Sequence, residues 1–587
     1  MALVLPAVLA LMPLLIAPGL LFSFDVTPKA VVLLIGVAVA LPLLPMGQSR
    51  WFRALLAVEA VSLLLSTAFS AHWQLSIAGT NWRRFGLVTQ LAVLLFALLV
   101  AGSGDRIRLL RAVAAAGIVA ALYGVSQYFG WDPLLPAQAY HIGEGEWTIV
   151  RPPSTLGYAT YFATYLLYVV FAGVALARQD SQRAWRIAGW CAVGLGASAI
   201  LLSGTRAAIL GLAAGALWLR PGRRALRATA ALLGCAVLFY FSPAGRKLRS
   251  RTRWYVEDPR GGARMLLWRD SLRLGARHGL TGTGLETFSS EFARVQSAEL
   301  SRAYPAFYHE SPHNMFLDAW TSQGVAGLIA LLGLAGLGLR AAWKGRSDGG
   351  VATLGAGLAA ALVAQQFSSF TLTTAVYFYG TVGMLVSLVF PSRQPLPHGR
   401  GSVDDKGCRA ATVRERLRHW IARGPVASAL LLFGAQLLAG DWILERVKDS
   451  IAAGRVDAAI AAYARFQRWK PIGMSADLWY SRALAWRAWQ PALEAAQRAP
   501  RTAEDRQNAL YNLAVFYGAR NDFARTEQAL RDAIAAAPNW FKPHWTLAQV
   551  LRAAGRTEEA RAEASLALDL DGGKDPEVVR THRELSR

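Results

Sequence analysis

Cysteine and charged residues are both scarce in this chain of 587 residues. Only three cysteines occur: Cys191 and Cys235, which lie in apolar segments, and Cys408. Their number and placement exclude a disulfide framework and a thiolate metal site. Charged residues make up 17% of the sequence, against about 25% in an ordinary soluble protein. The composition therefore excludes a typical soluble enzyme, a small disulfide-stabilised scaffold and a disordered protein.

Long uncharged runs take the place of the missing charges. Apolar residues make up 54% of the chain, and the stretches 31–44, 91–101 and 228–241 contain no charged side chain. A bilayer requires such runs, whereas a soluble core does not need so many of them. The apolar N-terminal stretch has no basic residue before it, so we interpret it as a first membrane helix rather than a cleaved signal peptide.

Segments of membrane-spanning length recur along most of the chain. They number about thirteen, and they predict an all-α polytopic membrane protein. The predicted spans are Ala2–Phe22, Ala30–Met46, Ala54–Ser70, Gly86–Gly102, Leu109–Phe129, Leu156–Ala177, Ile187–Ser203, Ala207–Leu219, Ala225–Phe241, Asn314–Leu339, Val351–Phe370, Thr373–Phe390 and Pro425–Trp442.

The formal net charge of +24 is carried mainly by arginines in the loops. With the N-terminus in the cytoplasm, every short cytoplasmic loop is basic, as the positive-inside rule requires. The outer loops hold few cations, so Arg83, Arg84, Arg151 and Arg206 stand out. Arg206 lies between two apolar runs, which indicates a functional residue, the alternative being an arginine that snorkels from a helix end. Because spans separate the basic residues, we expect no nucleic-acid partner.

The chain divides into a membrane part and a tail. Residues 1–391 are predicted to form the polytopic domain, with a long extracytoplasmic loop at about 242–312. A basic cytoplasmic linker follows at 392–424, and the last transmembrane helix at 425–445. This order places everything after the last span on the same outer side as the long loop.

Residues 449–587 are rich in alanine and helical in period. Four residues, Leu513, Ala514, Tyr517 and Ala533, recur 34 positions later as Leu547, Ala548, Leu551 and Ala567. A 34-residue period with small residues at helix crossings is typical of tetratricopeptide repeats, which form an α-solenoid. Such a domain binds a peptide or a partner protein, and the alternative is a stabilising cap without a partner.

One pentad in the long loop formally matches the zinc-protease pattern H-E-x-x-H. It runs from His309 to His313, but the pattern works only on a continuous helix. Ser311 and Pro312 instead predict a helix start, with Ser311 as N-cap and Pro312 at the first helical position. His309 then lies outside the helix and His313 in its first turn, so we expect no metal.

A histidine in the first turn of a helix is suited to acid–base chemistry. The positive end of the helix dipole disfavours an imidazolium at His313 and attracts anions. A neutral histidine beside an anion site can act as a general base. The alternative is an interfacial histidine that is hydrogen-bonded to the loop backbone.

Five segments, taken in order, resemble the O-antigen ligase and polymerase superfamily of bacterial membrane glycosyltransferases, in which a tetratricopeptide tail also occurs. They lie in outer loops and at the adjoining helix ends. They are LSIAGTNWRRFGL at 75–87, RPPSTLGYATYFATYLL at 151–167, LLSGTRAAILG at 201–211, RMLLWRDSLRLGARHGLTGTGLETF at 264–288 and SPHNMFLDAWTSQGVAGLIALL at 311–332. The third segment departs from the family's S-x-S-R pattern, because Thr205 replaces the second serine. The fourth segment resembles the family's R-x-x-x-W stretch, here Arg264 and Trp268, which ends in G-x-G-x-x-x-F, here from Gly282 to Phe288.

The resemblance implies a GT-C-like arrangement of the membrane helices. It also implies a metal-independent, cofactor-free transfer with inversion at the periplasmic face of the bacterial inner membrane. The donor would be a glycan on a polyprenyl pyrophosphate, and the acceptor a hydroxyl of a lipid core, a growing polysaccharide or a protein. His313 would activate the acceptor, and arginines would bind pyrophosphate. Those arginines would be Arg206 and Arg264, with Arg269 and Arg84 as weaker candidates. Asn314, Tyr158 and His309 are secondary candidates.

The sequence leaves several functions open. Ligase, polymerase and protein oligosaccharyltransferase share these motifs. The alternative from another class is a transporter or flippase, or a non-enzymatic scaffold for polysaccharide export. A flippase should carry charged residues within several mid-membrane helices. Here Glu59 is the exception in spans that otherwise hold almost none, which favours chemistry at the outer surface.

Overall fold

The computed structural model describes residues 1–44, 48–142, 148–219, 234, 237–257, 262–306, 308–390 and 405–586. Regular structure in these ranges is almost entirely α-helical, with one two-stranded antiparallel sheet, β1 (His141–Ile142) paired with β2 (Ile149–Val150). Seven helices are long and apolar enough to cross a membrane, and five apolar helices are shorter. The predicted class, an all-α polytopic membrane protein, is confirmed.

The helices are numbered here in chain order. Those up to the long loop are α1 (Val4–Leu14), α2 (Thr27–Ala40), α3 (Arg50–Ala68), α4 (Trp73–Ala78), α5 (Leu87–Ala101), α6 (Arg106–Phe129), α7 (Ala159–Gln179), α8 (Arg183–Ser203) and α9 (Arg206–Trp218). The loop and the membrane helices after it contribute α10 (Arg246–Glu257), α11 (Arg264–Arg277), α12 (Phe288–Ala293), α13 (Ala298–Ala303), α14 (Met315–Lys344), α15 (Gly349–Ala364), α16 (Leu372–Val389) and α17 (Asp405–Ala452). The tail contains α18 (Val456–Trp469), α19 (Asp477–Leu484), α20 (Trp489–Thr502), α21 (Arg506–Gly518), α22 (Phe523–Ala536), α23 (Phe541–Ala553), α24 (Thr557–Asp571) and α25 (Pro576–Ser586). Short 3-10 turns lie at Leu41–Leu43, Ala137–Ala139 and Pro243–Gly245.

The seven long and five short apolar helices coincide with twelve of the predicted spans. The main boundary error concerns the first span, predicted at Ala2–Phe22, because α1 already ends at Leu14. The chain then turns through Pro18 and Gly19, whose φ of +93° a helix cannot accommodate. The predicted span Ala225–Phe241 lies largely outside the described residues. Of the predicted linker 392–424, residues 392–404 lie outside them, whereas residues 405–424 belong to α17, which is helical from Asp405 onward.

Small residues let the membrane helices pack closely. The central helix α7 is buried along nearly its whole length and crosses α8 at Gly173 and Gly189. A Cβ atom at either glycine would come within 2.7 or 2.6 Å of a carbonyl oxygen of the other helix. Such close backbone approach is how membrane helices gain packing energy when lipid removes the hydrophobic drive.

Helix α14 is broken at Gly324, which has φ 70° and ψ −160°. A break in a membrane helix leaves backbone groups that need new partners. The predicted G-x-G segment supplies them, because the N–H groups of Thr283 and Gly284 donate to the carbonyls of Thr321 and Ser322 at 2.9 and 3.1 Å. The long loop is therefore inserted into the helical bundle rather than lying over it.

The tail forms successive helix pairs, in which α21 packs against α22 and α23 against α24. Assignment of these pairs to the tetratricopeptide type stays a prediction. The tail lies at the same end of the bundle as the long loop, and Arg302 of the loop forms an ion pair of 2.8 Å with Asp569 of the tail. The basic helix starts at Arg50, Arg106 and Arg183 mark the opposite end.

This sidedness predicts the outcome of reporter fusions. Alkaline phosphatase, which is active only outside the cytoplasm, should be active when fused after Arg520 in the tail. It should be inactive when fused after Gly345, because the turn between α14 and α15 belongs to the basic end. Enzyme activity in whole cells, normalised to fusion protein on a blot, is the measurement. The reverse pattern would contradict the orientation.

Candidate active site

The residues that the sequence singled out lie at one end of the bundle. Arg84 precedes α5, Tyr158 precedes α7, and Arg206 begins α9. Arg264 begins α11 within the long loop, and His313 lies just before α14. The fold therefore collects side chains from five separate outer segments on one face, where they could share a site.

His313 is not in the first turn of a helix, which corrects the prediction. Helix α14 begins at Met315, and its N-cap is Asn314, whose side-chain oxygen accepts from the N–H groups of Phe316 and Leu317. An asparagine that satisfies two free N–H groups is a strong cap, so Ser311 and Pro312 remain in the preceding turn. His313 itself has a φ of +50°, a strained value for a residue with a Cβ atom.

The strained turn is held by α11, through the R-x-x-x-W motif. The indole N–H of Trp268 donates to the carbonyl of Pro312 at 3.0 Å. One helical turn earlier, Arg264 lies on the same face of α11, and both side chains pack near Phe367 at 6.0 and 6.1 Å from its ring centre. The motif therefore places a guanidinium and fixes the backbone just before His313 at the same time.

The surroundings of His313 keep its imidazole neutral. Burial lowers the pKa of His313 to about 4, and the positive charge of Arg264 acts in the same direction. Its Nδ1 lies 3.4 Å from the Ser311 hydroxyl, and this contact is at the long end for a hydrogen bond. Above a pH of about 4 the side chain can therefore accept a proton.

The contacts of His309 and Asn314 are those of a packed core residue and a helix cap. His309 is buried with its ring edge against Phe292, at 5.6 Å between ring centres, and burial lowers its pKa to about 4. Asn314 caps α14 and also donates to the carbonyl and side-chain oxygens of Gln366 at 3.1 and 3.2 Å. These contacts link the start of α14 to the end of α15 and steady the turn that carries His313.

Arg206 and Tyr158 lie on neighbouring helix starts. The residue before Arg206 is Thr205, whose hydroxyl faces the carbonyl of Ala159 at 3.5 Å, so α9 starts against α7. Tyr158 is the residue before α7, and its hydroxyl accepts from Arg151 at 2.9 Å. Arg206 is partly exposed, and its backbone position at the first turn of α9 adds the helix dipole to its own positive charge.

Arg269 and Arg84 are differently placed. The guanidinium of Arg269 forms ion pairs with Asp270 and Glu299 at 3.1 and 2.6 Å, which compensate its charge within the loop. Arg84 is fully buried, and its nitrogens have no hydrogen-bond acceptor among the residues that the structure describes. Burial lowers the pKa of Arg84, while the nearby Glu504 of the tail raises it.

A buried ion cluster joins three of the segments that build the site. Arg83 is paired with Glu286 of the long loop at 2.6 Å and with Asp318 of α14 at 3.1 Å, and all three side chains are largely buried. Burial alone would lower the pKa of Arg83, but Asp318 and Glu286 raise it. The sequence marked Arg83 as conspicuous but gave no sign of its two carboxylates, which lie more than 200 positions away.

The tail covers the long loop. Besides the ion pair between Arg302 and Asp569, the side chain of Gln507 in α21 donates to the carbonyl of Ser289 in α12 at 3.1 Å. The Ser289 hydroxyl in turn donates to the carbonyl of Glu504 at 2.9 Å. A surface of the predicted solenoid is therefore occupied by a segment of the same chain.

The described part of the chain contains no group of three or more histidine, cysteine, aspartate or glutamate side chains placed to hold a metal ion. His309 and His313 both lie outside any helix, so the pentad lacks the helical geometry of the zinc-protease pattern.

Residues 191–332 match the model of a protein family described as O-antigen ligase. The match supports an O-antigen ligase-like domain in this region of the chain. It contains Arg206, Arg264, Arg269, His309, His313 and Asn314, whereas Arg84 and Tyr158 precede it. A search of curated proteins finds no significant match. The protein is thus a multi-pass membrane protein with a domain of a ligase- and polymerase-type enzyme family.

The ion cluster predicts a large effect of one substitution. Arg83→Met leaves Glu286 and Asp318 buried without their cation, and such a loss costs about 3–5 kcal/mol of folding free energy. We expect a clearly lower melting temperature of the detergent-solubilised protein. The control is Arg108→Met, which removes a half-exposed partner of Asp105 and should change the melting temperature little. Equal effects of the two substitutions would contradict a stabilising role of the cluster.

Proposed function

We propose that this protein transfers a glycan from a polyprenyl pyrophosphate to an acceptor hydroxyl at the periplasmic face of a bacterial inner membrane. The observation that carries the proposal is the buried turn of His313, which Trp268 holds against the helix that Arg264 begins, inside the family-matched region. A base for the acceptor and a cation for the leaving group are the two groups that such a transfer needs.

The reaction follows from these two groups. The acceptor oxygen attacks the anomeric carbon of the donor while an imidazole nitrogen of His313 takes the hydroxyl proton. The bond between that carbon and the pyrophosphate oxygen breaks on the opposite face, so the configuration inverts. Guanidinium groups of Arg264 and Arg206 stabilise the negative charge that develops on the pyrophosphate.

The positions and burial of the four candidate arginines separate them as ligands for the pyrophosphate. Arg264 begins its helix next to the His313 turn, and Arg206 is partly exposed at the start of α9. Arg269 already forms ion pairs with Asp270 and Glu299, and Arg84 is fully buried. Pyrophosphate binding by Arg269 or Arg84 would therefore require ion pairs or buried packing to be broken first.

The acceptor remains a choice among a lipid core, a growing polysaccharide and a protein. Each offers a hydroxyl, and the proposed base acts on any of them in the same way. The contacts of the tail with α12 and α13 place it beside the loop that carries Arg264. A large acceptor would thus have to approach the site past the tail, or along it.

The competing function is a transporter or an export scaffold. A flippase should display charged side chains along a path through the membrane. Among the described helices, Lys29, Asp318 and Asp441 are buried near the outer ends, and Glu59 lies mid-helix. Lys29 is satisfied by the carbonyls of Pro13 and Thr155 at 3.3 and 2.5 Å. This arrangement favours chemistry at one surface over passage through the bundle.

The proposed role of His313 as general base predicts the effects of replacing His313 and His309. His313→Ala should abolish transfer and leave donor binding nearly unchanged, since the imidazole acts on the acceptor. His309→Ala is the matched control, because His309 is buried against Phe292 and should affect transfer much less. Transfer is measured in membranes with a lipid-linked glycan, and expression is checked by blot. Full activity of the His313→Ala protein would contradict the proposal.

The same base sets the pH dependence. A histidine with its pKa lowered to about 4 is deprotonated at any higher pH. The transfer rate of the native enzyme should therefore fall only as the pH drops towards that value, rather than near 6.5, the ordinary pKa of histidine.

The leaving-group arginine is tested by a substitution that keeps its charge. Arg206→Lys should lower the transfer rate about 10²–10³-fold, because lysine cannot form the planar fork that pyrophosphate oxygens accept. The matched control is Arg183→Lys, since Arg183 also begins a membrane helix but at the opposite end of the bundle. If Arg206→Lys retains normal transfer, Arg206 is a snorkelling cation at a helix end.

A further inference from the structure

A cleft of about 440 Å³ lies where the tail meets the membrane domain. Three segments line it: residues 71–75 at the start of α4, residues 467 and 470–475 at the end of α18, and residues 501–503 at the end of α20. Its volume falls in the range of about 300–1,000 Å³ that is typical of small-ligand sites. None of the residues placed in the proposed active site lines it.

The cleft carries positive charge without acidic residues. Lys470 and Arg501 are its two permanent cations, and no aspartate or glutamate is among its lining residues. Within the described chain neither cation forms an ion pair. Burial lowers the pKa of Lys470, while the nearby carboxylate of Asp477 acts in the opposite direction. A bound anion would compensate both cations.

The walls of the cleft are preformed. Below it lies the buried carboxylate of Asp477, which accepts from the Thr502 hydroxyl at 2.9 Å and from the Gln467 amide at 3.2 Å. Across the cleft the tail approaches α4 so closely that a Cβ atom on Gly473 would overlap the carbonyl of Gln74. Ligand binding would therefore not have to order these side chains first.

Exposed apolar side chains lie in the lining of the cleft and just before it in sequence. Helix α3 ends at Ala68, and the next residue, Phe69, is 71% exposed. Trp73 and Ile472, which line the cleft, are 48% and 57% exposed. Aromatic and apolar residues next to the end of a membrane helix are typical of the headgroup level of a bilayer. The two cations thus lie beside side chains of the kind found at that level.

We propose that this cleft binds the phosphate of an anionic phospholipid headgroup, with Lys470 and Arg501 as its ligands, and that the lipid holds the tail against the membrane surface. The acyl chains would extend past Phe69 and Trp73 into the bilayer. This site is separate from the transfer reaction, and its occupancy can be measured without assaying activity.

Native mass spectrometry of the full chain in detergent tests the proposal. Phosphatidylglycerol is titrated into the wild-type protein and into the Lys470→Gln/Arg501→Gln double variant, with phosphatidylcholine as the neutral-headgroup comparison. We expect at least about fivefold weaker binding of one phosphatidylglycerol molecule in the double variant. The matched control is Arg465→Gln/Arg468→Gln, which removes two exposed cations of α18 outside the cleft and should leave this binding unchanged.

A charge-keeping variant separates binding from misfolding. Lys470→Arg/Arg501→Lys should bind phosphatidylglycerol like the wild-type protein, and its failure to bind would overturn the proposal. Equal binding by the Lys470→Gln/Arg501→Gln protein would also overturn it. A final arm uses glycerol phosphate without acyl chains. If it binds at the cleft as tightly as phosphatidylglycerol, the ligand is a soluble phosphate and the lipid assignment is wrong.

Discussion

The buried ion cluster of Arg83, Glu286 and Asp318 is the constraint on which the outer face depends. It joins the segment before α5, the long loop and the first turns of α14 at 2.6 and 3.1 Å. Separating a buried charge from its partner is costly, so the cluster favours the arrangement in which the three segments meet. Three residues of this region, Arg84, Glu286 and His313, have positive φ values, a strain that such pairing can offset.

Two further contacts hold the turn that carries His313. The G-x-G segment donates hydrogen bonds to carbonyls at the break in α14, after the turn. Trp268 donates to the carbonyl of Pro312, directly before His313. The turn that carries His313 lies between these two attachments, and the tail closes over the remainder of the loop. The histidine therefore owes its position to packing and not to a helix start.

The sequence predicted the membrane helices and the face that carries the candidate site, because apolar length and loop charge are local properties. It placed the start of α14 too early, since Ser311 and Pro312 resemble a cap and only through-space contacts of Asn314 and Trp268 decide the outcome. It also named Arg269 and Arg84 as weaker candidates for pyrophosphate binding. The ion pairs of Arg269 with Asp270 and Glu299, and the complete burial of Arg84, appear only in the folded chain.

The central claim is that His313 and the outer arginines move a glycan from a lipid pyrophosphate. The most direct measurement uses the purified full chain, a polyprenyl-pyrophosphate glycan and an acceptor extract from the same bacterium. Free polyprenyl pyrophosphate and glycosylated acceptor should appear in equal amounts, with the opposite anomeric configuration in the product. Retained configuration, or acceptor glycosylated without release of polyprenyl pyrophosphate, would contradict the account.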